Sequence, residues 1–289
     1  MTQNQSPTPK AYLNGAFLPL AEAQVPVLDR GFLFGDGVYE VIPIYGGRPL
    51  RLKEHLVRLS RSLEAIGMSP PLDEAAWAEI IAELVEGAED QQVYIQVTRG
   101  PQPKRDHTIP AVVSPTVFAM CTPIAPIPVG GIAAVTVEDL RWDRCDIKAI
   151  TLLANILLRQ RALDQGATEA IIVRDGSALE GAASNLFVVR DGALTTPPNG
   201  PTILPGITRD LVIEVARGVG LSVTEETLSV DDLMRADEIW LTSSTREILP
   251  VIALDGRPVG SGEPGPVWRR VLEAYQVFKS QLRKGLVTD

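Results

Sequence analysis

The sequence predicts an α+β protein in two parts, each a sheet with helices packed against it. Three observations carry that expectation. Apolar strand-like runs recur in both halves, at residues 38–45, 93–98, 132–137 and 170–174. Stretches with helical spacing lie between them, as in Ala75, Trp77, Ile80, Ile81 and Leu84. Residues 122–128 carry Pro123, Pro126 and Pro128, which hold the chain extended between the halves. The expected layout is an N-terminal domain over residues 1–122, a linker at 123–130 and a second domain over 131–289.

Taken in order, residues 1–10 form a short polar lead without the apolar core of a signal peptide. Residues 11–20 read as a hairpin, with Asn14-Gly15 supplying the turn. A Gly-rich charged loop, 29–37, feeds a strand that puts Tyr39, Val41 and Pro43 on one face and Glu40 and Ile42 on the other. Helices are expected over 53–66, stopped by Gly67, and over 72–85. Strands at 93–98 and 115–121 flank a polar loop, 100–110, that holds Lys104, Arg105 and His107. In the second half a strand at 132–137 leads to the charged stretch 141–148 and an apolar helix over 151–163. Strands at 170–174, 185–189 and 193–195 follow as a meander, punctuated by Asp175-Gly176 and Asp191-Gly192. Leu204-Pro205-Gly206-Ile207-Thr208 opens a helix to about residue 217, and a strand at 238–242 delivers Ser243, Ser244 and Thr245 to a turn. A helix over 267–282 comes last.

Composition narrows the function. The formal net charge of −9 and a pI near 4.9 argue against a broad nucleic-acid surface. No apolar run approaches the roughly 18 residues that a membrane helix needs, so a cytoplasmic location is the default. Two cysteines and two histidines leave no disulfide framework and no multi-histidine metal site, so no metal is expected. The chain has no HExxH, GxSxG or P-loop sequence, so most hydrolase and kinase readings lack their parts.

Four segments can carry chemistry. Lys148 ends the cluster Arg141-Trp142-Asp143-Arg144-Cys145-Asp146-Ile147-Lys148 and precedes Ala149 and Ile150, which points it into a partly dry place. A dry site disfavours an ammonium, and a neutral amine is a nucleophile; the plain alternative is a surface lysine ahead of a helix. Glu180 lies among small residues in Leu179-Glu180-Gly181-Ala182-Ala183-Ser184-Asn185, and is either exposed on a turn or paired with a cation. Gly206-Ile207-Thr208 at a helix start offers free N–H groups to an anion, although such a Thr is often only a cap. Ser243-Ser244-Thr245 adds hydroxyl donors at a strand end.

In this order and spacing, Asp-Ile-Lys, Glu-Gly-Ala-Ala-Ser-Asn, Leu-Pro-Gly-Ile-Thr-Arg and Thr-Ser-Ser-Thr-Arg-Glu-Ile resemble the fold-type IV pyridoxal-phosphate enzymes, over nearly the whole chain. The D-amino acid aminotransferases are the best match, through Tyr94-Ile95-Gln96-Val97-Thr98-Arg99-Gly100, the Arg105-x-His107 pair and Arg141-Trp142. The resemblance implies an N-terminal α/β sandwich and a C-terminal mixed sheet or pseudo-barrel with helices. It implies pyridoxal 5′-phosphate as cofactor, Lys148 as Schiff-base residue and proton carrier, and Glu180 at the pyridinium nitrogen. It gives Leu204 the ring face, and Ile207, Thr208, Ser244 or Thr245 the phosphate, with Arg51 or Arg141 neutralising it. Tyr39, Arg105 and His107 would hold the substrate carboxylate, with Val41 and Ser243 to Thr245 around the side chain. In relatives the arginine directly follows the proline, whereas Lys104 intervenes here; either the trap shifts or Lys104 takes the arginine's place.

The implied reaction moves an amino group between D-amino acids and 2-oxo acids, with 2-oxoglutarate or pyruvate as acceptor, in a homodimer. The same fold also serves branched-chain L-aminotransferases, (R)-amine transaminases and 4-amino-4-deoxychorismate lyases. A non-catalytic carrier of the cofactor would lack the carboxylate trap.

Overall fold

A computed structural model describes residues 9–128 and 130–287. The polar lead expected over residues 1–10 falls mostly outside them. The chain divides into two units. The first runs to Ile124 and also takes in Ile147–Thr151 and the stretch from Leu282 onward; the second comprises Ala125–Asp146 and Leu152–Gln281. The two short stretches that join the first unit had been expected in the domain over 131–289.

The first unit contains β1 (Lys10–Leu13), β2 (Ala16–Pro19), α1 (Arg30–Phe34), β3 (Gly37–Tyr45), β4 (Arg48–Pro49), α2 (Leu52–Ala65), α3 (Glu74–Leu84), β5 (Gln91–Thr98) and β6 (Thr116–Pro123). Its strands form one antiparallel sheet in the order β2-β1-β6-β5-β3-β4. Asn14 and Gly15 both take positive φ at the β1–β2 turn, as the hairpin reading requires. Helix α2 is amphipathic, burying Leu56, Leu59 and Leu63 against Ile42, Ile44, Val93 and Ile95 of the sheet. The expected loop at 29–37 contains a one-turn helix instead. The Asp29 side chain accepts from Gly31 N and Gly35 closes the turn in the left-handed region. A pattern of five residues is too short to show in sequence.

Ile147–Thr151 lies along β3. Tyr39 N donates to Lys148 O (3.0 Å), Ile150 N donates to Gly37 O (3.1 Å), and Ile147 is buried in the core. That pairing is why the segment groups with the first unit.

The second unit contains β7 (Ile132–Glu138), α4 (Leu153–Asp164), β8 (Glu169–Arg174), β9 (Ser177–Gly181), β10 (Ser184–Arg190), β11 (Ala193–Thr196), α5 (Ile207–Gly218), β12 (Val223–Glu225), β13 (Leu228–Ser229), α6 (Val230–Met234), β14 (Glu238–Ser243), β15 (Glu247–Leu254), β16 (Arg257–Pro258) and α7 (Pro266–Arg283). The path β10-β14-β15-β7-β8-β9 returns to β10 through the β9–β10 pairing, so six strands close on themselves. Parallel pairing of β7 with β8 and β15 makes the sheet mixed. Both faces are buried: Ile132, Ala134 and Ile171 point to one cluster, Val135, Val137 and Ile172 to another that includes Leu158 and Ala162 of α4. This is the α+β architecture with a pseudo-barrel that the resemblance implied. Among the described residues no helix is long and apolar enough to cross a membrane.

Candidate active site

The candidate residues fall into two groups, one in each unit. In the first unit Lys148 is half-buried and its Nζ lies 4.2 Å from the centroid of the Tyr39 ring. Lys148 N donates to Ser62 Oγ of α2 (3.2 Å), which together with the Tyr39 contact fixes the backbone that presents the amine. No carboxylate pairs with Lys148 among the described residues. Tyr39 also stacks on Tyr94 of the neighbouring strand, with ring centroids 5.7 Å apart. Burial raises the Tyr94 hydroxyl to about 12, with Tyr39 adding to it, so Tyr94 stays protonated. Val41 lies two residues along the same face of β3, half-buried like Tyr39.

The opposite face of β3 carries a charged cluster that sequence reading missed. Glu40 is fully buried and accepts from Arg58 Nε (2.7 Å) and Nη2 (2.8 Å) and from His55 Nδ1 (2.7 Å). Burial opposes the Glu40 carboxylate, but Arg58 and His55 outweigh it and hold its pKa far below the ordinary range. Burial pushes His55 below its ordinary value even against Glu40. Both groups bind protons more weakly folded than unfolded, so their stabilisation is present at neutral pH and is lost as pH falls. Denaturation midpoints are expected to drop on acidification, and His55→Gln should flatten the slope between about pH 7 and 5. An equally steep profile in the variant would refute this account of His55.

Arg51 opens α2 with φ +54° and its Nη1 donates to Glu54 Oε1 (3.0 Å). Arg105 and His107 lie side by side on the exposed loop between β5 and β6, with Arg105 Nη2 3.5 Å from His107 Nε2. The inserted Lys104 pairs with Asp106 (3.0 Å), its side chain 79% exposed. Lys104 therefore does not displace Arg105 from His107. Phe34 of α1 packs against both, 5.1 Å from the His107 ring centroid and 5.1 Å from Arg105 Cζ.

In the second unit Glu180 is buried in β9 rather than exposed on a turn, and it is paired as its cost demands. Its Oε1 accepts from Arg141 Nη1, and its Oε2 accepts from Leu204 N (3.1 Å) and from Asn185 Nδ2 (3.4 Å). The other Arg141 nitrogens donate to Asp139 (both 3.0 Å) and to Thr202 O (3.1 Å). Burial works against the Arg141 cation, but Asp139 and Glu180 raise its pKa above the ordinary arginine value. Its guanidinium is thus committed to Glu180 and Asp139, which differs from the expected engagement with a phosphate. Asp139 and Asn185 were not singled out from the sequence. Burial pushes the Cys145 thiol up to about 11, which keeps it protonated at neutral pH.

Gly206 precedes α5 with no side-chain cap, leaving the first N–H groups, Ile207 and Thr208 among them, without one. A Cβ at Gly206 would meet Asn185 Oδ1 at 1.8 Å, so only glycine allows this approach. Asn185 Nδ2 donates to Leu204 O (2.8 Å), tying the Leu204–Thr208 segment to Glu180. Ser243 ends β14, and Ser244 and Thr245 lie in the turn to β15, all three half-buried. Flanking Asn185 in sequence and across the sheet, Ser184 Oγ and Thr242 Oγ1 are buried without a protein partner. Uncapped amides and orphaned hydroxyls that can donate to a phosphate, with an oriented carboxylate that can accept from a ring N–H, fit a phosphorylated pyridine.

A family model described as amino-transferase class IV matches residues 37–254. The D-alanine aminotransferase of Bacillus licheniformis is 40% identical over 272 residues, 92% of this chain and 96% of that protein. Among solved structures, the branched-chain aminotransferase of Thermoproteus uzoniensis with norvaline superposes with TM-score 0.85 at 30% identity, covering 93% and 94% of the two chains. The branched-chain amino acid aminotransferase of Escherichia coli does so with TM-score 0.83 at 28% identity, covering 93% of each chain. A further branched-chain amino acid aminotransferase, complexed with N-(5′-phosphopyridoxyl)-L-glutamate, superposes with TM-score 0.87 at 29% identity, covering 97% and 96%. With the pseudo-barrel and the Lys148 and Glu180 segments in place, these matches show that the chain belongs to the class IV aminotransferase family.

Proposed function

We propose that this protein moves the amino group of a D-amino acid, with D-alanine and D-glutamate as donors, to pyruvate or 2-oxoglutarate. The observation that carries the D-amino acid reading is Arg105 beside His107, a guanidinium with no carboxylate partner among the described residues. A fork of that kind recognises an α-carboxylate through two parallel hydrogen bonds. The D-alanine aminotransferases similar to this chain support the same choice.

Pyridoxal 5′-phosphate supplies an aldehyde for the amino group to condense with and a ring that draws electrons from the substrate Cα. Lys148 Nζ would hold the cofactor and then carry the Cα proton of the bound amino acid to the carbon that bore the cofactor's aldehyde. The Glu180 carboxylate, oriented by Arg141, keeps the ring nitrogen protonated, and Leu204 covers the ring face. The amides of Ile207 and Thr208, with Ser244, Thr245 and Arg51, bind the phosphate. Tyr39, Arg105 and His107 orient the carboxylate so that the Cα–H of the D-enantiomer faces Lys148, while Val41 and Ser243 border the side chain. The reading extends to a cytoplasmic homodimer. Its support is a stripe of exposed Leu153, Ile156 and Leu157 on α4, the kind of surface a second copy covers.

Mixing the coloured holoenzyme with single amino acids tests the reading. D-alanine and D-glutamate should bleach the visible band and release 2-oxo acid, while L-leucine and L-valine leave it unchanged. The structural likeness to branched-chain enzymes favours the opposite pattern. Bleaching by the L-amino acids alone would replace the D-amino acid reading with a branched-chain one.

A further inference from the structure

The loop that carries Arg105 and His107 has almost no strand partners of its own. Its start is tied by Arg30 N to Gly100 O (3.0 Å) and by Gln102 N to Leu28 O (3.3 Å). Beyond that point the side chain of Arg30 takes over. It is 5% exposed, and its guanidinium donates to the carbonyls of Asp106 (2.6 Å), His107 (3.4 Å) and Thr108 (3.3 Å). Three successive carbonyls converging on one cation fix the backbone directly after Arg105. From the same helical turn, the Phe34 ring packs against His107 and lies 5.0 Å from Arg30 Cζ and 5.1 Å from Arg105 Cζ.

The base of this platform is rigid. Asp29 caps α1 and accepts from Thr98 Oγ1 (3.0 Å) and Thr116 Oγ1 (2.6 Å). A Cβ at Gly31 would meet Thr98 Cγ2 at 2.3 Å, so the helix is seated against β5 as closely as backbone allows. Asp36 is shared by Arg30 Nε (2.7 Å) and Arg99 Nε (2.8 Å), so two guanidinium groups meet one carboxylate. Lys104 meanwhile takes Asp106. The cations around Arg105 thus outnumber the carboxylates, which favours an anion beside it.

We propose that α1, through Arg30 and Phe34, is the positioning element for carboxylate recognition. The helix holds Arg105 and His107 at one spacing and sets the affinity for the α-carboxylate without itself touching substrate. The proposal rests on the reading of Arg105 and His107 as the carboxylate trap.

The test is steady-state kinetics on the holoenzyme, together with binding of propanoate, a carboxylate without an amino group, followed through the visible band. Phe34→Leu and Arg30→Lys should raise KM for D-alanine and Kd for propanoate about tenfold, with kcat within about twofold, and Phe34→Tyr should restore both. If Arg105→Ala weakens both while Phe34→Leu and Arg30→Lys leave them unchanged, the positioning role is overturned and the trap stands. Unchanged values in Arg105→Ala would overturn the trap itself. Loss of kcat and of the visible band in Phe34→Leu, with KM unmoved, would mark a general structural role and overturn the proposal as well.

Discussion

Lys148→Ala is expected to remove the visible absorption of the holoenzyme and to lower turnover by on the order of a thousandfold or more, the scale of a positioned proton carrier. The structure makes this a clean substitution. The backbone of Lys148 is held by Tyr39 N and Ser62 Oγ, neither of which depends on the side chain, and the amine itself lies over the Tyr39 ring. Stability should therefore change by no more than about 1 kcal/mol. Absorbance, single-turnover kinetics with D-alanine and denaturant midpoints check the three parts separately. An intact visible band in the variant would refute the assignment of Lys148.

The second large effect is expected for Arg141→Met. Removing this cation takes a buried guanidinium from Glu180 and leaves Asp139 with Arg174 (2.9 Å) as its cationic partner. Breaking a buried pair from one side costs about 3–5 kcal/mol, so the denaturant midpoint should fall sharply. Turnover should fall about a hundredfold or more, because Leu204 N and the longer Asn185 contact orient Glu180 less firmly than they do with the guanidinium in place. Binding also tells which group Arg141 serves. Acting through Glu180, the substitution should weaken pyridoxal and pyridoxal 5′-phosphate alike. A loss confined to the phosphorylated form would return Arg141 to the phosphate.

Much of this was legible because it is local. The alternation of β3, the spacing of α2 and α3, and the Leu204–Thr208 helix start each declare themselves within one stretch of chain. What stayed hidden is a matter of partners far apart in sequence. Arg141 read as a cation free for a phosphate, yet besides its neighbour Asp139 it holds Glu180 and Thr202, 39 and 61 residues away. Glu40 looked like any carboxylate on a strand until His55 and Arg58 closed around it. Strand β9 went unseen because Glu180 and Gly181 interrupt its apolar pattern. The prolines near residue 124 marked one passage between the units; the passages at residues 146, 151 and 281 carry no such punctuation.

Those four passages have a consequence for how the chain is made. The first unit is not finished when its sheet has been synthesised, because its core still lacks Ile147 and β3 still lacks the bridge between Val38 and Ala149. Closing so long a loop costs entropy before any contact repays it, and chains rich in such pairings fold slowly. A nascent chain therefore seats Lys148 only after residue 151 has emerged, and completes the unit only with the stretch from Leu282 onward. Cutting the gene at the proline-rich segment would yield a first piece with an open seat in its core, not an independent domain. The segment Ile147–Thr151 thus serves as a late fastener of the amino-terminal half.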